Sequence, residues 1–524
     1  MTTAGRVLLR RVWIVLALSS CEDFPNAPTS TVTLTPSASA PWPQELFNKE
    51  DSVITVDVKG ADSNAITGLR LEWQSSDPSI LEIQPDTSSH VDSLIAMRTV
   101  KIVAQRRGTA TISVKVIQEG IEPATLGLTI RVWERWTAIS AGYDHTCALT
   151  VDDDAYCWGK GPLGHGSAAP SAKPVRVGRD VKFASVAAGN GHSCGVLLDG
   201  TVQCWGSNSL GELGNGGGSN QVLPVPVSLV STFVTVWAGS NYVCGVSGQQ
   251  TGYCWGDNQN WQLGDAGVAS PIVLRPSPRF DDCGSGALCS RTPRLIRDRA
   301  KAPVPLSAIA PGVGHTCALT PAGQALCWGV GSVELGIGVS IRTESTTATP
   351  FIPVDAGGTT FDEISSGLWH TCAIGASDRR VYCWGFNSLG QLGTTSPDST
   401  CFLDPSNVGC NRKAKAVTAS LRFASLDVGV NNTCGISEEA AAYCWGSNQF
   451  GQLGNPTLAN TTTPVKIDSL RVPLVSLSVG STHVCAVSLR GAAYCWGDSG
   501  NGKLGQEATA NTGTVRPVRV DEPQ

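Results

Sequence analysis

Apolar and polar residues alternate along most of this chain in short runs, broken by Gly, Pro, Asn and Ser. A period of two puts apolar side chains on one face of a strand, so the pattern predicts an all-β protein with many tight turns. Between about residues 32 and 132 the runs at 52–58, 69–73, 100–104, 109–116 and 126–132 are independent of one another. From about residue 134 the alternation instead falls into a unit of about 50 residues that recurs seven times, the mark of an array or propeller. The unit runs apolar-x-x-apolar, Gly-x-x-His, x-Cys-apolar-apolar, a turn, Tyr-Cys-Trp-Gly, Asn-x-x-Gly-x-Leu-Gly, a variable loop and Pro-x-x-apolar. It is clearest at 183–214, 361–393 and 423–454.

Each Cys-Trp-Gly has a second cysteine upstream, which gives the pairs Cys147 and Cys157, Cys194 and Cys204, Cys244 and Cys254, Cys317 and Cys327, Cys372 and Cys383, Cys434 and Cys444, and Cys485 and Cys495. In the first repeat, strands at 145–149 and 155–158 around a turn at 150–154, with Leu149 opposite Ala155, place Cys147 opposite Cys157. Cross-strand Cα separations of about 4.5–5.5 Å suit a disulfide, and closing so short a loop stabilises by about 2–3 kcal/mol in the chain-entropy model. Two long insertions, 265–305 and 394–421, carry a further pair each, Cys283 with Cys289 and Cys401 with Cys410. Of 19 cysteines only Cys21 is left over. This density of paired thiols implies an oxidising compartment, and no two cysteines stand at the C-x-x-C spacing of a zinc site.

The leftover cysteine follows Arg6, Arg10 and Arg11, an apolar run at 12–18, and Ser19-Ser20. That order resembles a bacterial lipoprotein signal, which implies cleavage before Cys21 and its acylation. A plain secretory signal is the alternative. The run is too short to span a bilayer, so the expected membrane attachment is the lipid alone. Residues 22–31, rich in Pro, Ser, Thr and Asn, read as a linker. Fifty-eight glycines suit the turns, and a net charge of −5 argues against a nucleic-acid surface over the whole protein.

Two family resemblances follow. Leu71-Glu72-Trp73-Gln74-Ser75-Ser76-Asp77-Pro78 and Gly108-Thr109-Ala110-Thr111-Ile112 resemble the bacterial immunoglobulin-like group 2 domain, implying a small β-sandwich over 32–133 that acts as a spacer. The seven-fold unit resembles the regulator-of-chromosome-condensation repeat, implying a seven-bladed β-propeller over 134–524. The final Pro517-Val518-Arg519-Val520 is expected to pair with first-repeat strands and shut the ring.

His145, His192, His315, His370 and His483 share one repeat position, occupied by Tyr242 and Asn432 in the other copies. Spread around a ring they cannot meet at one metal ion, so a polar group satisfying backbone is expected there. Gly191-His192-Ser193-Cys194-Gly195 has the spacing of a serine-hydrolase elbow but aligns with a bridged strand, and Asp152-Asp153-Asp154 lacks the spacing of a calcium loop. A plant UV-B photoreceptor with this fold carries tryptophans directly after the repeat glycine. Here those positions are Tyr143, Asn190, Ser240, Val313, Leu368, Val430 and Ser481. No catalytic, cofactor or metal site is therefore expected.

What the repeats do not share is the two insertions. They occupy one phase, so they are expected on one face of the disc, and each is basic: Arg291, Arg294, Arg297, Arg299 and Lys301 in one, Arg412, Lys413 and Lys415 in the other. The reading that follows is a lipid-anchored, exported binding module recognising an unknown protein or anionic polymer at the envelope. The alternatives are a polysaccharide lyase or hydrolase with an axial site, a structural surface protein without a dedicated partner, and, by analogy with the founding family member, a guanine-nucleotide exchange factor. Export argues against the last. Secreted propellers of this family that cover β-lactamases with one face are a precedent for the first.

Overall fold

The computed structural model describes residues 14–17, 33–36, 44–55, 71–85, 99–117, 125–229, 231–264, 281–283, 288–298, 300–329, 336, 351–403, 406–418, 420–507 and 514–523. Cys21, the linker 22–31 and Arg299 lie outside them. Within the apolar run near the N-terminus, Ile14–Ala17 is a strand paired with Thr33–Pro36. The chain divides into two compact units, Met1–Arg135 and Trp136–Gln524.

In the first unit, Glu45–Phe47, Thr125–Trp133, Gly108–Val116 and Leu71–Ser75 form one sheet, while Asp51–Thr55, Thr99–Ala104 and Leu81–Pro85 form another. The alternation read from the sequence sets the faces: Leu71 and Trp73 point in, Glu72 and Gln74 out. Trp73, Leu81, Ile102, Ile112 and Ile130 then share one buried core between both sheets. The strand Glu45–Phe47 is too short to show a period, whereas Leu81–Pro85, whose Leu-Glu-Ile-Gln alternates, was legible but is absent from the runs read above.

In the second unit each repeat makes one antiparallel sheet, seven among the described residues, with its strands in chain order from an inner strand outward in all but repeats three and five. The first comprises Trp136–Ala141, His145–Thr150, Ala155–Gly159 and Ser171–Arg176. Leu149 faces Ala155 and Cys147 faces Cys157, the register expected, and the equivalent cysteines face each other in all seven repeats. Their Cα atoms are 4.0–4.2 Å apart, closer than the 4.5–5.5 Å expected from unbridged strands, and the sulfurs lie at bonding distance. Cys283 and Cys289, and Cys401 and Cys410, are also at bonding distance.

The glycine of Cys-Trp-Gly has a reason in the backbone. In every repeat it sits at φ of 102–108°, where the third strand shifts register against the fourth. A Cβ on Gly256 would come within 2.6 Å of the Tyr242 Cα, so both its conformation and its neighbour demand glycine. The tryptophan beside it is a wedge between sheets. Trp158 packs with Cys495, Leu504 and Val520 of repeat seven, Trp205 with Leu149 and Leu163 of repeat one, and so on around the ring. All seven are wholly or almost wholly buried. Removing one such side chain costs about 3–5 kcal/mol in a typical core.

The chain end does not do what the sequence suggested. Thr514–Arg519 pairs with Ala493–Gly497, the third strand of its own repeat, and not with strands of the first. The Pro-x-x-apolar segment is the outer strand of its own sheet in the other repeats too, so repeat and sheet are in phase and no strand is exchanged. Packing of side chains from repeats one and seven closes the ring instead, with the Trp136 amide donating to the Gly491 carbonyl and the Ser481 amide to the Gly142 carbonyl.

Candidate recognition face

Seven inner turns gather at one end of the second unit. Each follows an inner strand and begins with a glycine: Gly142, Gly189, Gly239, Gly312, Gly367, Gly429 and Gly480. These turns stand too close for side chains, since a Cβ on Gly239 would lie 2.8 Å from the Gly312 carbonyl oxygen. They ring a pocket of about 80 Å³.

The two insertions rise from the same end. In repeat three, Asp257 at the end of the third strand faces Cys289, from which Leu288–Leu295 turns back against Asp281–Asp282. In repeat five, Phe386 faces Cys410 on Ser406–Ala416, which pairs with Ser399–Leu403. The described parts of both insertions thus lengthen the fourth strand and add a fifth beside it. The hairpin of repeat five reaches the inner turn through aromatic contact. Trp369 meets Phe386 edge-on at 6.2 Å and packs with Cys401, Cys410 and Val408. Trp369 directly follows Leu368, a wall of the pocket.

The basic residues of the insertions serve partly as internal ties. Lys413 pairs with Asp355 of the neighbouring repeat at 2.6 Å, Lys415 donates to the Ser396 carbonyl, and Arg294 donates to the Ser290 hydroxyl at 3.0 Å. Arg291 lies along the loop of repeat two, its carbonyl accepting from the Gly216 amide at 2.9 Å. Arg412 is half-buried, with its amide donating to Asp398. Arg297 and Lys301 are exposed. The eight residues are therefore not one free patch: intrachain carboxylates and carbonyls take up several of their charges.

The backbone role expected of the shared histidine position is seen in Tyr242; four of the histidines instead bond a hydroxyl of the next repeat, and Nδ1 of His145, His370 and His483 is buried without a partner. His145 Nε2 bonds Ser193 Oγ at 2.7 Å, His315 bonds Thr371 Oγ1 at 2.9 Å, His370 bonds Thr433 Oγ1 at 3.0 Å, and His483 bonds Thr146 Oγ1 at 2.8 Å. Tyr242 substitutes by donating to the His315 carbonyl at 2.8 Å and meeting Thr316 Oγ1 at 2.9 Å. Each repeat thus reaches the hydroxyl that follows the next repeat's histidine position. That hydroxyl is replaced by Val243 and Val484 in two repeats, and there the polar atoms of His192 and Asn432 are buried without a hydrogen-bond partner. Burial holds these histidines neutral, pulling His145, His192 and His315 down to about 4 and His370 and His483 to about 3. The signal was legible in the Thr or Ser after the histidine, though not its destination.

A parallel tie uses the residue before Leu-Gly. The carbonyls of Gln262, Gln391 and Lys503 each accept from a tryptophan Nε1 and a threonine hydroxyl of the next repeat, at 2.7–3.1 Å. In repeat seven that residue is Lys503, whose side chain is only 2% exposed. Its Nζ reaches Asp144 of repeat one at 3.0 Å and Asp498 at 2.7 Å. Burial would raise both carboxyls, but the lysine's hydrogen bonds and charge more than reverse this, and both are held low.

No group of three or more metal-ligating side chains occurs among the described residues. Ser193 of the apparent hydrolase elbow is buried against His145 of repeat one, on a strand and not at a strand–helix turn. Asp154 of the acidic run holds Arg176 and Lys182 at 2.6 and 2.7 Å.

Comparison with known proteins agrees with this architecture. Two profiles of the regulator of chromosome condensation (RCC1) repeat match, one at 152–196, 199–246 and 439–487, the other at 136–164, 183–212, 361–391, 423–452 and 474–503. The probable E3 ubiquitin-protein ligase HERC4 of Rattus norvegicus is 26% identical over 226 residues, 43% of this chain and 20% of that protein. The ultraviolet-B receptor UVR8 of Arabidopsis thaliana is 30% identical over 200 residues, 38% of this chain and 42% of the receptor. The chain thus matches less than half the length of either relative. Among solved structures, Prp20p of Saccharomyces cerevisiae, described with its binding properties to Gsp1p and histones, aligns with a TM-score of 0.53 at 19% identity, over 66% of this chain and 80% of its own. Human WBSCR16 aligns at 0.54 and 15% identity, over 80% and 99%. The chain carries regulator of chromosome condensation repeats, folded as a β-propeller.

Proposed function

We propose that this protein is an exported interaction module: a lipid anchor at Cys21, an immunoglobulin-like spacer, and a seven-bladed propeller that binds a protein partner at the envelope through the end bearing the inner turns and both inserted hairpins. The observation that carries this reading is the joining of turn and hairpin by Trp369 and Phe386. Departures from the repeat are concentrated at one end and rigidly supported, as binding loops on a scaffold are. Proteins are also the partners named for the structurally similar Prp20p, which has been crystallised with Kap60. A protein is favoured over an anionic polymer because Lys413 and Lys415 are already engaged within the chain. An axial hydrolase or lyase gains no support from the pocket, whose lining includes no carboxylate or histidine. The test is affinity capture from envelope extract with the intact ectodomain and with Arg297→Glu/Lys301→Glu. Loss of a saturably captured protein in the variant is expected; equal recovery overturns the assignment of this end.

A further inference from the structure

The axial pocket has a chemical asymmetry that its seven-fold construction does not require. Repeats seven, one and three place Ser481, Tyr143 and Ser240 on its wall, whereas repeats four, five and six place Val313, Leu368 and Val430 there. A polar arc therefore faces an apolar one. The lining includes no Asp, Glu, Lys, Arg or His, so an ion entering it would lose water without gaining a counter-charge.

The backbone around the mouth is already satisfied. The Tyr143 amide donates to Gly189 O, Ser240 to Gly312 O, Leu368 to Val430 O and Ser481 to Gly142 O, at 3.1–3.3 Å. The Ser481 hydroxyl is spent on the Tyr143 carbonyl at 2.6 Å. The Ser366 hydroxyl is spent on Thr371 Oγ1 at 3.0 Å, so what is left for a guest is the hydroxyls of Tyr143 and Ser240. Two hydroxyls, each able to donate and accept, suit a third hydroxyl better than an anion or a cation. Opposite them, three aliphatic side chains suit an apolar body. The glycine floor cannot retreat or fill, because a Cβ there meets the next repeat's backbone.

We propose that this pocket binds an uncharged phenol-type group, its ring against Val313, Leu368 and Val430 and its hydroxyl between Tyr143 and Ser240. The group is supplied either by a free phenol or by a tyrosine side chain of the partner, and the second source rests on the recognition face proposed above. At about 80 Å³ the pocket is smaller than sites for drug-sized ligands, so it admits one small group and not a larger molecule. A rigid aromatic with one polar tip is also the commonest kind of anchor residue at a protein interface.

The experiment titrates the full ectodomain with p-cresol, N-acetyltyrosinamide, toluene and phenyl phosphate, read by ligand-detected magnetic resonance. Saturable binding of the first two is expected, with toluene weaker and phenyl phosphate weakest. Ser240→Ala removes the hydroxyl alone and is expected to weaken p-cresol roughly fivefold, the worth of one hydrogen bond, while leaving toluene unchanged. Val313→Trp, or Leu368→Trp should the first melt abnormally, fills the pocket and is expected to abolish binding of both phenols. No p-cresol binding, or binding indifferent to Ser240→Ala and to the filling variant, overturns the proposal. Displacement of a captured partner by p-cresol assigns the tyrosine source, and binding without displacement assigns a free phenol. Absence of phenol binding together with sensitivity of capture to charge reversal at Arg297 and Lys301 defeats the pocket and leaves the recognition face standing. Phenol binding with capture insensitive to that reversal does the opposite.

Discussion

The seam where repeat seven meets repeat one and the junction between repeats two and three are built to one plan and finished differently. At the seam His483 finds Thr146, Trp158 finds the Lys503 carbonyl, and the Lys503 ammonium joins carboxylates from both repeats. At the inner junction Trp255 still finds the equivalent carbonyl, of Glu212, but His192 faces Val243 and both its ring nitrogens are unpaired. The inner junction is covalently continuous through the chain and tolerates an unmade bond. The seam is held by no connecting peptide; there the histidine finds its hydroxyl and the lysine its two carboxylates, although His483 Nδ1 is buried without a partner. A propeller closed without strand exchange thus concentrates its side-chain ties where the chain does not.

The largest expected effect comes from Lys503. Lys503→Ala leaves Asp144 and Asp498 facing each other with only the exposed Lys160, 3.4 Å from Asp144, as a cation, at a cost of about 3 kcal/mol, moderated because water still reaches Asp144. Lys503→Gln should lose about 1 kcal/mol, because the equivalent Gln262 already donates to Asp257 at 3.0 Å in its own repeat. Denaturant melts of the three proteins should rank wild type, Gln, Ala; an equal loss in both variants would show that the charge contributes nothing at the seam.

Next in size is the hydrogen-bond relay, where the two junctions can be exchanged. Thr146→Val makes the seam resemble the inner junction and should cost about 1–2 kcal/mol, since it leaves a buried histidine nitrogen unpaired. Val243→Thr makes the inner junction resemble the seam and should recover about 0.5–1 kcal/mol by giving His192 a partner. Opposite signs in paired melts support the relay. A Val243→Thr protein no more stable than wild type would mean that His192 is satisfied in another way.

The smallest effect is a slope. Each relay histidine is neutral when folded, at about 3 to 4, but titrates near 6.5 when unfolded. The unfolded chain then binds the extra proton, so this stability is complete above pH 6.5 and is lost as pH falls toward 4. Glu363 acts oppositely. Burial and the nearby Asp427 charge hold its carboxyl up at about 7, against the Leu426 amide and Arg379, so its contribution is present below about 4.5 and lost as pH rises through 7. His315→Asn, borrowing the residue of repeat six, should flatten the fall of the melting temperature between pH 6.5 and 4. Glu363→Gln should steepen it. Unchanged slopes in both would remove protonation of these groups as the cause.

Much of the second unit was legible because its seven copies average out local ambiguity. The hairpin register and the cysteine pairs follow from Cys-apolar-apolar and Tyr-Cys-Trp-Gly read at a period of two. The candidate site was legible only as a phase: residues 265–305 and 394–421 stand out because nothing matches them elsewhere. Their roles were misread in part, since Lys413 and Arg294 look available along the chain and are engaged in space. The closing strand was misread for the same reason. Pro517-Val518-Arg519-Val520 has no following repeat, and only its pairing with Tyr494 and Cys495 assigns it to its own sheet.

Sequence alone determined strand type, pairing within each hairpin and the cysteine partners, because these depend on residues about ten apart whose alternation fixes which side chains face. Tertiary structure decided what depends on residues hundreds apart. Examples are Lys503 set between two carboxylates, a histidine answered by the next sheet's threonine, and a pocket walled by one residue from each of several turns. Such contacts leave no period along the chain, because ring closure, and not local alternation, brings the partners together.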